Sequence, residues 1–114
     1  MTEKFNKLQL AELATDLKAF DKLEPVIHSK VRLAIVSLLA ASESLSFVEL
    51  RDALRLTDGN LAAHLRALEK GRIVSLRKVG NDSKPVTVIS LSATGRKAFV
   101  RYLEGLEHII QRHR

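Results

Sequence analysis

The sequence predicts a small α+β domain that is mainly helical and carries one β-hairpin. Apolar residues recur every three or four positions through most of the chain, and the period changes to two between residues 73 and 91. A length of 114 residues suffices for one hydrophobic core and not for two. We therefore expect residues 1–114 to form a single domain.

The composition is that of an ordinary globular protein. Hydrophobic residues make up 46% and charged residues 28%, which argues against disorder. Cysteine is absent, so disulfides and thiolate metal sites are excluded. No apolar run approaches the roughly 20 residues of a membrane span, and the N-terminus lacks the features of a secretory signal. We expect a cytoplasmic protein without a membrane partner.

The first predicted element is an amphipathic helix within residues 1–23, ended by Pro25. Its apolar stripe consists of Leu10, Leu13, Leu17 and Phe20. A second helix is predicted from the cap residue Ser29 to about residue 41.

Two short helices follow, joined by a three-residue turn. Ser46 and Glu49 have the spacing of a capping box, and that helix should end near Arg55. Thr57 can cap the next helix, which should end at Gly71.

The remaining elements are a hairpin and a long helix. Residues 73–79 and 86–91 are rich in β-branched side chains and are separated by turn-forming residues. Ser92 can cap a helix over residues 92–114. The predicted order is helix, helix, helix, helix, strand, strand, helix.

This order is that of a winged helix-turn-helix in residues 26–91, flanked by an N-terminal and a C-terminal helix. In that geometry the second helix of the pair enters the DNA major groove and the hairpin is the wing. The formal net charge is +6, with four basic residues against one acidic in 71–91 and five against two in 92–114. Such an excess is typical of proteins that bind nucleic acid.

The helix that begins after Thr57 has one apolar face, formed by Leu61, Leu65 and Leu68. The candidate DNA-binding residues are the N-terminal and outward-facing ones: Thr57, Asp58, Gly59, Asn60, Ala63, His64, Arg66 and Lys70. Asparagine can pair with adenine, arginine with guanine, and alanine can contact a thymine methyl. Base reading is expected from four of them: Asn60, Ala63, His64 and Arg66. Two alternatives stay open: Asn60 and Arg66 are ordinary solvated residues, and His64 braces the fold or touches a phosphate.

Basic residues near the hairpin tip are the candidates for contacts with the DNA backbone or minor groove. They are Arg77, Lys78 and Lys84. The alternative is a charged edge that only prevents strand pairing.

A homodimer is expected, because winged modules of this size commonly read two half-sites as symmetric dimers. The outer helices carry more apolar surface than the short elements can cover. The predicted dimerisation residues are Leu10, Leu13, Leu17, Phe20, Tyr102, Leu106, Ile109 and Ile110. The first helix could instead fold back onto its own subunit.

Three stretches of the sequence resemble the winged helix-turn-helix transcriptional regulators related to the MarR and ArsR groups. They are VRLAIVSLLA, LSFVELRDALRLTDGNLAAHLRALEKGRIV and KPVTVISLSATGRKAF, within about residues 24–110. The resemblance implies DNA contacts at Asn60 and His64 and a structural role for Arg32. The paired cysteines of many ArsR-like sensors are absent, so thiolate metal sensing is not implied.

The sequence therefore predicts a sequence-specific, homodimeric regulator that binds double-stranded DNA, with repression favoured over activation. The alternative is a winged helix that binds a protein and not DNA. We expect no enzyme, cofactor or metal site, because no phosphate loop or paired nucleophile and base is present and His108 and His113 lack matching ligands. A small-molecule effector between the wing domain and the outer helices stays open.

Overall fold

The computed structural model describes residues 6–8, 10–11 and 26–114. The helices and strands in these residues are α1 (Lys30–Ala40), β1 (Leu45–Ser46), α2 (Phe47–Leu54), α3 (Asp58–Lys70), β2 (Val74–Val79), β3 (Val86–Leu91) and α4 (Ala93–Arg112). The predicted mainly helical α+β fold is confirmed. Most of the predicted first helix, including Leu13, Leu17 and Phe20, lies outside the described residues.

The four helices α1 to α4 begin at the predicted cap residues. Ser46 Oγ accepts from Glu49 N at 3.0 Å while Glu49 Oε1 accepts from Ser46 N at 2.8 Å, so the capping box of α2 is complete. The caps of the other three helices are Ser29, Thr57 and Ser92. These short-range contacts fix where each helix starts, and hence the length of the turn between α2 and α3.

The hairpin belongs to a three-stranded antiparallel sheet in the order β1-β3-β2. The sequence predicted only β2 and β3. In β1, Leu45 pairs with Ile89 and Ser46 pairs with Val88. A two-residue strand has no detectable alternation of its own, and it forms because β3 offers a free edge beside the start of α2.

One core lies between the sheet and the helices. Its fully buried side chains come from every layer: Ile35 and Leu39 of α1, Leu50 of α2, Leu61 and Leu68 of α3, and Ile89 of β3. Burial of each of these side chains contributes about 1.5–3 kcal/mol of apolar transfer free energy to folding. In the described ranges no helix is long and apolar enough to cross a membrane.

Candidate nucleic-acid interface

The α3 helix has one buried face and one free face. Leu61, Leu65 and Leu68 are at most 1% exposed and anchor it to the core. Of the residues that helical periodicity predicts to face outward, Ala67 is half-buried and the others are exposed: Gly59, Asn60, Ala63, Arg66 and Lys70. This outer face of α3 is therefore open to a partner, as the periodicity predicted.

The two candidates at the start of α3 make contacts within the chain. The Thr57 hydroxyl accepts from Asn60 N at 3.1 Å, so it satisfies one of the free amides of the helix end. The Asp58 carboxylate accepts from Arg51 Nη1 at 3.0 Å. This hydrogen bond, followed by the one to Asp52, raises the pKa of the Arg51 guanidinium. The negative charge of Asp58 is thus balanced by a cation from α2.

Arg51 itself was not predicted as part of the site. Its side chain is 32% exposed and lies beside the start of α3, where its guanidinium is paired with Asp52 and Asp58. The short turn of residues 55–57 brings Arg51 next to Asp58. No local sequence pattern indicates such a pair, because the two residues are on different helices.

His64 lies on the flank of α3 and is half-buried. Its Nδ1 is 3.5 Å from Nη1 of Arg32, the arginine to which family resemblance gave a structural role. Arg32 Nε donates to the Val26 carbonyl oxygen, so its guanidinium links the segment before α1 to α3. His64 therefore contacts α1 from the flank of α3, and its role toward DNA stays a prediction.

The hairpin carries its basic residues on an exposed tip. Arg77, Lys78 and Lys84 are all exposed. Asn81 Oδ1 accepts from the backbone amides of Ser83 at 3.1 Å and Lys84 at 2.9 Å, which fixes the chain just before β3. Gly80 has a φ of 91°, a left-handed conformation that a residue with a Cβ rarely adopts. The tip is therefore a built turn that positions Lys84.

The predicted dimerisation residues that the structure describes differ in how exposed they are. Leu10 is 53% exposed and Ile110 is 48% exposed, whereas Leu106 and Ile109 are half-buried. Tyr102 is 3% exposed, with its hydroxyl 3.0 Å from His28 Nδ1, and burial raises the pKa of its phenol. The expectation that Tyr102 faces a second subunit needs correction, because the ring lies in the core of its own chain. Leu13, Leu17 and Phe20 are not described.

Across residues 6–8, 10–11 and 26–114, no group of three or more His, Asp or Glu side chains is arranged to hold a metal ion. His108 lies beside Arg112, with His108 Nε2 2.9 Å from Arg112 Nη2.

Comparisons with known proteins agree with this geometry. A family model described as a winged helix DNA-binding domain matches residues 31–110. The protein MJ0432 of Methanocaldococcus jannaschii is 37% identical over 78 residues, which cover 68% of this chain and 85% of that protein. A transcriptional regulator homologue from Pyrococcus horikoshii OT3 has a TM-score of 0.78 and 32% identity, over 85% of this chain and 95% of that chain. S. aureus MepR, solved in complex with DNA, has a TM-score of 0.69 and 19% identity over 93% and 86%, which shows a common fold.

The fold and the open face of α3 define a winged helix-turn-helix protein. The chain belongs to the winged helix DNA-binding domain family. The winged helix class predicted from the sequence is confirmed, and the predicted resemblance to MarR-related proteins agrees with a shared fold.

Proposed function

We propose that this protein is a sequence-specific regulator that binds duplex DNA as a homodimer, with α3 of each subunit in the major groove of one half-site. The wing lies on the sugar-phosphate backbone or in the minor groove. The observation that carries the proposal is the free outer face of α3 in a domain whose hairpin has an exposed basic tip. Repression is favoured over activation, since it requires only that the site be occupied. The expected compartment is the cytoplasm.

The outer face of α3 has the shape and chemistry that major-groove docking needs. Gly59 and Ala63 leave the helix backbone free of bulk, so that it can approach base edges closely. Asn60 and Arg66 supply side chains that can pair with adenine and guanine. Lys70 adds charge at the end of the same face. The complex of S. aureus MepR with DNA supports DNA as the partner, by likeness of fold.

The exposed apolar side chains of α4 support the homodimer. Leu103 is 44% exposed and Ile110 is 48% exposed on a helix of 20 residues. Pairing of such a stripe across a two-fold axis would remove it from water. Two recognition helices would then meet half-sites about 34 Å apart.

The most direct test of DNA binding is to fill the free face at Gly59. A Cβ built there has no atom of the chain within 4 Å, so Gly59→Gln should fold normally and gain up to about 1 kcal/mol from better helix propensity. Its DNA affinity should nevertheless fall at least about tenfold, or ~1.4 kcal/mol, because the new side chain would clash with the wall of the major groove. Fluorescence anisotropy with a selected DNA site measures this loss, and urea unfolding measures the stability.

The matched control is Ser44→Gln, which adds similar uncharged bulk in an exposed loop outside α3 and the hairpin. Its DNA affinity should equal that of the wild type. If Gly59→Gln binds DNA as tightly as the wild type, α3 does not dock through this face. If the wild type shows no salt-sensitive DNA binding but captures a protein partner, the alternative of a protein-interaction module is correct.

The dimer is tested separately at Ile110. Ile110→Asp places a charge in the exposed stripe without touching the core, so the monomer should stay folded. Sedimentation equilibrium should show a shift from dimer to monomer, and DNA affinity should fall at least about tenfold because each monomer then reads one half-site only. Ser37→Asp, an exposed site on α1, is the control. A dimer unchanged by Ile110→Asp would place the interface elsewhere.

A further inference from the structure

One contact connects the outer part of α3 to the neighbouring helix. The Arg32 guanidinium, in the first turn of α1, reaches two acceptors: the Val26 carbonyl oxygen through Nε and His64 Nδ1 through Nη1, at 3.5 Å. Within the described part of the chain, no carboxylate pairs with Arg32. In this part of the chain, the guanidinium of Arg32 therefore donates to two groups, the Val26 carbonyl and the His64 imidazole.

The direction of this hydrogen bond follows from chemistry. A guanidinium carries five N–H donors and has no acceptor, so it can only donate. The nitrogen facing it, His64 Nδ1, must then present its lone pair. In a neutral imidazole one ring nitrogen carries the proton and the other does not, which places the proton of His64 on Nε2. The contact with Arg32 thus selects one tautomer.

We infer that Arg32 is a positioning residue that makes His64 a hydrogen-bond donor, through Nε2–H, to an acceptor on a base edge in the major groove. The inference rests on the proposed function and adds a specificity rule to it. The acceptors available in the groove are N7 of either purine, O6 of guanine and O4 of thymine, whereas the amino groups of adenine and cytosine only donate. His64 should accordingly disfavour an amino group at the position it faces.

The guanidinium can act in this way because contacts hold both the backbone and the side chain of Arg32. The backbone amide of Arg32 is 3.4 Å from the Ser29 hydroxyl that caps α1. Val26, the other acceptor, packs at the end of α3, with its Cγ2 3.2 Å from where a Cβ of Gly71 would lie. Arg32 is thus held at its backbone by the cap of α1 and at its guanidinium by Val26, which packs on the end of α3. A lysine could reach either acceptor but has no planar fork to donate to both at once.

The tautomer is tested on the free protein. Long-range ¹H–¹⁵N correlation spectra at about pH 8, well above the ordinary histidine pKa, distinguish the two nitrogens of each imidazole. A spectrum of His64→Gln identifies the signals of His64 among the four histidines. In the wild type we expect a bare Nδ1 and a protonated Nε2. In Arg32→Lys we expect a mixture of both tautomers, whereas the charge-matched control Arg96→Lys should resemble the wild type.

The role of His64 in DNA binding is tested with DNA sites in which one hydrogen-bond acceptor of the major groove is removed at a time. A 7-deazapurine removes N7 of a purine, 2-aminopurine removes O6 of guanine and 5-methyl-2-pyrimidinone removes O4 of thymine. One replacement in a single half-site should weaken wild-type binding about 3- to 10-fold, the effect of one neutral hydrogen bond. The same replacement should cause no further loss in His64→Ala, and most of its effect should disappear in Arg32→Lys.

The outcomes separate this inference from the proposed function. A proton on Nδ1 of His64 in the wild type overturns the inference even where DNA binding is intact. Equal effects of every replacement in the wild type and in His64→Ala also overturn it, since His64 then contacts a phosphate or no DNA at all. A wild-type protein that binds no DNA removes the proposed function together with this inference, whatever the tautomer.

Discussion

Replacing Gly95 with alanine should lower the free energy of unfolding by about 3 kcal/mol, the upper range for forcing an atom into a packed site. Gly95 lies in the first turn of α4, where the helix backbone rests on the chain just before β2. A Cβ at this position would lie 2.0 Å from the carbonyl oxygen of Ile73 and 2.8 Å from its carbonyl carbon. Both are backbone atoms, which cannot rotate away as the end of a side chain can.

The surroundings of Gly95 prevent an easy shift of α4. The same Ile73 oxygen accepts from Ser92 N at 3.0 Å, and the Ser92 hydroxyl that caps the helix also contacts the Arg72 oxygen at 2.6 Å. Moving α4 outward by the distance an alanine requires would stretch these bonds and uncover Phe99 and Tyr102, which α4 contributes to the core. The substitution therefore affects the cap and the core together.

The measurement is equilibrium urea unfolding followed by circular dichroism at one fixed protein concentration, because a dimer's stability depends on concentration. Gly59→Ala is the control, since a Cβ there meets no atom of the chain within 4 Å. It should be as stable as the wild type, or more stable by up to about 1 kcal/mol. An unchanged urea midpoint for Gly95→Ala would mean that α4 does not rest on Ile73 as described.

The parts of the fold that were predictable are those with short-range causes. The capping box of Ser46 and Glu49 and the caps Thr57 and Ser92 act over three residues, so the sequence indicates them directly. Strand β1 depends instead on pairing with Ile89, more than forty residues away. Two residues cannot carry a period, and only the tertiary fold brings them to the free edge of β3.

The candidate site also combines features with short-range causes and features that depend on tertiary contacts. Helical periodicity predicts which side of α3 is free, because Leu61, Leu65 and Leu68 must face the core. It cannot predict which group covers an apolar side chain elsewhere, and Tyr102 on the stripe of α4 is covered by its own chain. The contact of Arg32 with His64 joins residues 32 positions apart. Contacts of this kind depend on the tertiary fold and become visible only in the folded chain.

Replacing Arg66 with alanine should weaken binding to the cognate site by about 1–3 kcal/mol for each half-site and relax the preference for the base it faces. The cognate site is obtained by selecting bound genomic fragments at physiological salt. Arg66 is exposed on the outer face of α3, where a guanidinium can donate two hydrogen bonds to O6 and N7 of guanine. Binding to random DNA should change less, since the variant loses one positive charge there but no base contact. Anisotropy titrations on cognate and scrambled duplexes measure both losses.

Lys84→Ala should behave differently, because we propose that this lysine at the wing tip contacts phosphates, which are the same in every sequence. Cognate and scrambled DNA should lose affinity alike, and the slope of log K against log salt should fall by about one for each Lys84 that contacts a phosphate. Arg96→Ala removes the same charge from the exposed surface of α4 and controls for net charge. Equal losses on both duplexes for Arg66→Ala would assign Arg66 to the backbone as well. In that case base recognition would have to come from Asn60 on the outer face and His64 on its flank.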